Sequence, residues 1–476
     1  MLVPGEVSVL SGRALSEARR AAVGALALAL VGVGVAFAHP VLLTRAGLWV
    51  DGGEPTVSPT LFAPPPSPTP TAVEAPAAVT PASSGPLPRT ASLATRLAAV
   101  PRPGIGRAGL VVMDPAAGTV LYGEQQDAPM IPASTLKTLT SAAALAALGP
   151  AHRFATKVVA GDAGQIVLVG GGDPLLRGAG DPSYPARASV GDLADATATA
   201  LRQSGQSTVA LAYDDTLFTG PAWNPAWLPG YAEFATPTSA LWLDRGIVAG
   251  VHGKTPSAAA AGEFANQLRQ RGIAVSGIAA AQAPAGAATL AEVWSLPLDL
   301  IVQELLLHSD NDITEVLFRH VAIAAGRPGS SADAAVAVQA RLETLGLWTA
   351  GMRLDDGSGL SRGNLVTPRA LAKAIALSLS DPTYRAIATG LPTAAADGTL
   401  GGRFDDPVTE GAGRGVVRAK TGTLTGVHSV NGFTRTADGA VVAFAFVAND
   451  VVANGDLAAR DWLERVAAAT TACGCA

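Results

Sequence analysis

Hydrophobic and polar positions divide the chain into three regimes. Residues 21–38 run AAVGALALALVGVGVAFA without a charge, and after His39-Pro40 the apolar character resumes at Val41, Leu42 and Leu43. Residues 54–90 are a Pro/Ser/Thr/Ala tract that includes Pro64-Pro65-Pro66-Ser67-Pro68-Thr69-Pro70. That composition cannot make a packed core and predicts an extended, semi-rigid spacer within residues 44–94. From about residue 95 onward the pattern becomes that of a folded protein. Ala108–Met113 is an apolar run, Asp114-Pro115-Ala116-Ala117-Gly118 supplies turn residues, and Thr119–Tyr122 resumes, which predicts a β-hairpin. Ser134 opens an apolar helix that Gly149-Pro150 stops. Ile166–Val169 reads as a strand, and Phe264 and Leu268 mark a helix that ends at Gly272. Near the end, Val416–Ala419, Val427–Thr434 and Ala440–Val447 predict strands, the last two joined through Ala437-Asp438-Gly439. A helix over about Leu457–Ala469 follows. Hairpins at both ends of the folded region suit one antiparallel sheet flanked by helices, an α/β fold of the α+β type. Strands and helices do not alternate regularly, so a doubly wound parallel sheet fits poorly.

The apolar run at 21–43 changes the picture of where the protein works. Arg13, Arg19 and Arg20 precede it, so residues 1–20 are expected on the cytoplasmic side and the remainder outside. Counted to Leu43 the run is long enough to span a membrane as a signal anchor, the reading preferred here. Ala36-Phe37-Ala38 also fits a signal-peptidase site, so a cleaved signal peptide stays open. Either way the chain is expected to act outside the cytoplasm.

Composition narrows the function classes. The 476 residues carry a formal net charge of −5, with charged residues at only 15%. This disfavours nucleic-acid binding, and the apolar content disfavours wholesale disorder. The only cysteines, Cys473 and Cys475, make neither a disulfide framework nor a metal site by themselves, and the six His residues show no metal-ligand spacing. No metal or other cofactor is expected. Lysine occurs five times, at Lys137, Lys157, Lys254, Lys373 and Lys420. Positions that keep Lys rather than Arg matter, because an ammonium can lose its proton where a guanidinium does not.

Three short motifs bring candidate chemistry. Ser134-Thr135-Leu136-Lys137 places a hydroxyl and an amine on one face of a helix start. Serine is a weak nucleophile that needs a base, and a nearby second cation, here Lys420, would lower the pKa of Lys137. Ser309-Asp310-Asn311 follows, then Lys420-Thr421-Gly422-Thr423 on a predicted strand. Each alone is ordinary: serine caps helices, and Ser-Asp-Asn is turn chemistry. In order, on these elements, they form the S-x-x-K, S-x-N, K-T-G set of serine β-lactamases and penicillin-binding proteins. His308, His428 and Asp310 read as structural.

Over residues 95–470 the chain resembles the class C low-molecular-mass penicillin-binding proteins. Further stretches carry the likeness: Val169-Gly170-Gly171-Gly172-Asp173-Pro174, Asp214-Asp215-Thr216-Leu217-Phe218, Asp356-Gly357-Ser358-Gly359-Leu360-Ser361-Arg362 with Asn364, Thr367 and Pro368, and Gly398-Thr399-Leu400 with Arg403-Phe404. The resemblance implies a serine β-lactamase/penicillin-binding transpeptidase-like fold, with a catalytic domain over 95–155 and 291–476 and an inserted domain over 156–290. It implies D-alanyl-D-alanine carboxypeptidase activity on peptidoglycan stem peptides, with endopeptidase activity also open and β-lactams as covalent inhibitors. It makes Ser134 the nucleophile and Lys137 its base. Ser309 would relay a proton to the leaving amine, and Asn311 would hold a substrate amide. The Thr423 backbone N–H would help hold the oxyanion, and Lys420 with Thr423 would bind the terminal carboxylate beside Thr421 and Gly422. A β-lactamase and a non-catalytic wall-binding or sensor module remain as alternatives.

Overall fold

Two apolar faces on one sheet organise the molecule. The computed structural model describes residues 85–474 apart from 163, 179, 181–183 and 249, all within one compact unit, Thr80–Ala476. The apolar run 21–43, most of the spacer and Cys475 lie outside the described residues. No helix among the described residues is long and apolar enough to cross a membrane.

Along the chain come α1 (Thr90–Ala98), the hairpin β1 (Ile105–Met113) and β2 (Val120–Glu124), and α2 (Leu136–Leu148). Next are β3 (Ala155–Ala160), β4 (Gln165–Val169), α3 (Val190–Gln203), β5 (Thr208–Asp214), the short β6 (Ile247–Val248) and β7 (Val251–His252), α4 (Pro256–Gln270), β8 (Ala274–Ala280) and β9 (Thr289–Trp294). The helices α5 (Leu298–His308), α6 (Asn311–Ala324), α7 (Ser331–Thr344), α8 (Pro368–Ser380) and α9 (Arg385–Gly390) follow. The strands β10 (Arg418–Leu424), β11 (Val427–Arg435) and β12 (Val441–Val451) and the helix α10 (Asp456–Thr471) close the sequence.

The first sheet has the order β10-β11-β12-β1-β2, antiparallel throughout. Hairpins from the two ends of the folded region therefore meet in one sheet, β1 lying against β12 with Leu110 opposite Phe446. Alternation along each strand serves two cores. Val111, Met113, Ala443, Ala445 and Val447 face α2, α5, α6 and α8. Leu110, Val112, Phe444 and Phe446 face α1 and α10, meeting Leu93, Leu97, Trp462 and Val466. Both faces are covered, which is why these strands read as nearly unbroken apolar runs.

The second sheet, order β8-β5-β4-β3-β9, is mixed: β4, β5 and β8 run parallel and β3 pairs antiparallel with β4 and β9. Helices α3 and α4 cover one face through Leu193, Leu201, Phe264 and Leu268. Three of its strands are parallel, yet with β3 and β9 antiparallel it is no doubly wound parallel sheet. The crossovers α3 and α4 supply the connections that parallel strands need.

Candidate active site

The site is built where the start of α2 meets the edge of the first sheet. Ser134 lies on a 3₁₀ turn, Ala133–Thr135, that runs into α2. Ala133 takes φ +48°, a left-handed conformation that costs a residue with a Cβ about 1–2 kcal/mol. The surroundings hold it there. Asn449 on β12 receives the Ile131 N–H at 2.8 Å and donates to the Ile131 carbonyl at 3.1 Å. The Pro132 carbonyl accepts Thr135 Oγ1 at 2.7 Å and Ser429 Oγ at 2.5 Å. Asn431 Nδ2 reaches Thr138 Oγ1 at 3.0 Å. Two glycines press on the turn. A Cβ on Gly422 would stand 2.7 Å from Pro132 O and 3.0 Å from the Ser134 nitrogen, and one on Gly359 only 1.9 Å from Ala133 O.

Lys137 is fully buried, and its Nζ has three oxygen neighbours: Ser134 Oγ at 3.0 Å, Asn311 Oδ1 at 2.7 Å and the Ser358 carbonyl at 2.7 Å. A neutral amine has two N–H groups and one lone pair. It can donate to Asn311 and Ser358 and accept from the Ser134 hydroxyl, the geometry a general base requires. Burial pushes the Lys137 pKa down to about 8, against the pull of Asp356, Glu315, Asp310 and Asp312. The cause is a correction to the sequence reading, which gave this role to Lys420. The mutual repulsion falls on Lys420 instead: burial first, then Lys137 and Arg403, hold its ammonium well below the usual range.

Ser309 sits in the kink between α5 and α6 at φ +58°. Asp310 next to it caps α6, accepting the Ile313 N–H at 2.9 Å, and pairs with Arg245, the structural role anticipated for it. Asn311 opens α6 and also donates from Nδ2 to the Phe234 carbonyl at 2.8 Å. Ser134, Ser309, Asn311 and Thr423 line one cavity of ≈ 530 Å³, with Leu228, Tyr231, Phe234, Leu360 and Arg362 among its walls.

The K-T-G segment departs from the expected layout. Lys420 is buried beneath the site and donates to the Thr421 carbonyl at 2.6 Å. It is not among the residues that line the cavity. Thr421 Oγ1 pairs with Thr399 Oγ1 at 3.0 Å. Gly422 makes room for the Ser134 turn by its missing side chain. Only Thr423 of this segment faces the cavity, and the cation that lines it among the described residues is Arg362, which also donates to the Thr425 carbonyl.

Sequence reasoning missed the polar clamps Ser429, Asn431 and Asn449. Their signal was present: fully polar side chains at inward positions of otherwise apolar strands. It also missed the aromatic wall. Residues 222–236 leave the region of β5 and cross to the site, where Asn224 Nδ2 donates to the Asp355 carbonyl at 2.9 Å and Trp227 Nε1 to Asp356 Oδ2 at 2.8 Å. Asp356 also receives the N–H groups of Gly359 and Ser361 and the Asn364 amide, so the Asp356–Ser361 loop is wound around one carboxylate. His428, as expected, is structural, bonded to Asp456 at 2.8 Å. Cys473 is buried and disulfide-bonded.

Comparison with known proteins agrees with the geometry. The carboxypeptidase DacB of Mycolicibacterium smegmatis is 34% identical over 426 residues, covering 86% of this chain and 90% of that protein. A carboxypeptidase of Mycobacterium tuberculosis is 37% identical over 429 residues, covering 87% and 90%. Among solved structures, penicillin-binding protein 4 of Haemophilus influenzae superposes with a TM-score of 0.65 at 23% identity, covering 80% of this chain and 98% of that one, and so shares the fold. The pattern of the D-Ala-D-Ala carboxypeptidase 3 (S13) family matches residues 89–254 and 249–471. The chain belongs to this family of penicillin-binding proteins, and it is a serine-type D-Ala-D-Ala carboxypeptidase by class.

Proposed function

We propose that this enzyme is exported and cleaves the D-alanyl-D-alanine ends of peptidoglycan stem peptides through an acyl-enzyme on Ser134. The observation that carries the reading is the environment of Lys137 Nζ, held at once by Ser134, Asn311 and Ser358. In the first step Ser134 Oγ attacks the carbonyl of the penultimate D-Ala and its proton passes to Lys137. Backbone N–H groups of Ser134 and Thr423 receive the oxyanion. The C–N bond then breaks, Ser309 relays a proton to the leaving amine, and D-Ala departs. Water hydrolyses the ester and regenerates the serine. Asn311 holds the base and the edge of the substrate. Thr423 and Arg362 meet the terminal carboxylate, a charge-assisted contact, with the Lys420 amine buried behind them. The same acyl-enzyme serves a D,D-endopeptidase.

In this reading residues 95–155 and 291–476 form the catalytic domain and 156–290 an inserted domain. Residues 21–43 take the chain out of the cytoplasm, as a membrane anchor or as a removed signal. β-Lactams mimic the substrate and acylate Ser134; the Haemophilus relative has been solved complexed with one.

Penicillin treatment followed by mass spectrometry tests the proposal. The expected result is one covalent adduct on Ser134, absent in Ser134→Ala. No label on the wild type, or label persisting in Ser134→Ala, refutes it. A long-lived adduct separates this reading from a β-lactamase. Release of D-Ala from muropeptides, lost in Lys137→Ala, separates it from a non-catalytic module.

A further inference from the structure

Helix α6 carries a second group beneath the site that the chemistry above does not use. Glu315 stands one turn after Asn311, so both project from the same side of the helix. It is 1% exposed and does not line the cavity. Its Oε1 accepts the backbone N–H of Gly357 at 3.0 Å and of Ser358 at 2.8 Å. The carbonyl of Ser358 is the one that accepts Lys137 Nζ, and the Gly357 carbonyl accepts Thr140 Oγ1 from α2 at 2.7 Å. The backbone at 357–358 is thus fastened on one side by a carboxylate and offers its carbonyls to the helix that bears the nucleophile. Arg319, one turn further along α6, directs its guanidinium to the carbonyls of Thr219 and Pro221. The carboxylate is therefore committed to the loop beneath Lys137.

We infer that Glu315 is a positioning residue for Lys137: its carboxylate holds the Gly357–Ser358 backbone that binds the amine, and its charge sets the pH at which the amine loses its proton. The inference rests on the reading of Lys137 as the base for Ser134. The charged groups around the amine are Glu315, Asp310 and Asp312 from α6 and its cap, Asp356 from the loop, and Lys420 from β10. Those around Glu315 are Asp356 and Arg319; burial, then Asp356, push Glu315 up to about 7. The direction follows from the charges. An ionised Glu315 favours the ammonium. Removing the charge lets burial depress the Lys137 pKa further, so the neutral amine becomes available at lower pH.

Substitutions separate charge from shape. Glu315→Gln keeps an oxygen acceptor for both N–H groups and removes the charge. Glu315→Asp keeps the charge and withdraws the oxygen. The rate at which fluorescent penicillin acylates the full chain, followed between pH 5 and 10, reads both. The wild-type rate should rise about tenfold per pH unit below the Lys137 pKa and level off above it. Glu315→Gln should keep the plateau within a few-fold and move the midpoint of the rise to lower pH by roughly half a unit or more, the two curves converging below about pH 7, where Glu315 itself is protonated. Glu315→Asp should leave the limb in place and lower the plateau by ~10- to 100-fold, because the base is displaced. A Glu315→Gln limb that stays put or moves to higher pH overturns the inference, as does a Glu315→Asp plateau equal to wild type. A wild type that takes up no label on Ser134 overturns the reading of the base, and this inference with it. A labelled wild type with an unmoved limb overturns the inference alone.

Discussion

Placing the Ser134 hydroxyl beside Lys137 takes residues that are not themselves reactive. Ser134 is aimed by a strained Ala133, by hydroxyl and amide side chains from β11 and β12, and by the closeness of Gly422 and Gly359. Gly422→Ala tests this directly. Its Cβ would stand 2.2 Å from Ser429 Oγ, 2.7 Å from the Pro132 carbonyl oxygen and 3.0 Å from the Ser134 nitrogen, so both the Ser429 clamp and the turn must shift by several tenths of an ångström or more. Misplacement on that scale is expected to slow acylation ~10- to 100-fold while a urea titration shows the fold intact; a rate equal to wild type would mean the turn absorbs the methyl without consequence. At this scale the sequence was legible for Ser134 and Lys137, because helix geometry alone puts residues three apart on one face. The reason for the depressed Lys137 pKa was not legible. Burial depends on α6 and the 357–358 loop, which arrive from distant parts of the chain.

Between elements, the junction of α5 and α6 holds a residue in a strained conformation. Ser309 holds φ +58° so that one helix can end and the next begin with Asp310 as its cap. Glycine adopts that conformation without cost to a Cβ. Ser309→Gly is therefore expected to unfold no lower in temperature than wild type, with stability equal to or up to about 1 kcal/mol above it, yet to lose most D-Ala release. Ser309→Ala should lose the same activity without the gain. A glycine variant that is both fully active and more stable would remove the hydroxyl from the mechanism. The end hairpins and α2 were readable because local turn residues and apolar runs specify them. The strands β5, β8 and β9 were not, since runs such as Ala274–Ala280 are short-chained and mostly exposed. Nothing local distinguishes them from loop; their partners do.

Across the whole molecule, the stretch between β5 and α4 joins the second sheet's region to the junction of α5 and α6. Arg245, in a turn where both it and Asp244 take positive φ, pairs with Asp310. The Thr236 N–H donates to Asp312 Oδ1 at 2.7 Å, and Thr236 Oγ1 lies 2.7 Å from His252 Nδ1. Asp312 is 4% exposed, and burial followed by repulsion from Asp310 holds its pKa well above the usual carboxylate range, with Arg245 acting the other way. A carboxylate raised in the folded state contributes stability that is full below its unfolded pKa, ~3.9, and is lost as pH rises through the folded value. Asp312→Asn keeps an oxygen for the Thr236 N–H and removes the charge that opposes Asp310. The difference in Tm between Asp312→Asn and wild type should therefore be smallest near pH 5 and grow in the variant's favour toward pH 8, by ~2 °C or more. Comparing variant with wild type at each pH cancels the titration of Asp173 and Glu410, whose pKa values are also pushed up to about 7; Glu315, raised to about 7 as well, repels Asp312 and adds to the same trend. A difference that stays constant across that range would mean that the aspartate pair does not strain the contacts of Arg245 and Thr236 with α6 and its cap. A difference that grows would show that the stretch walling the cleft with Leu228, Tyr231 and Phe234 is held to the Ser309–Asn311 junction at the cost of one disfavoured charge.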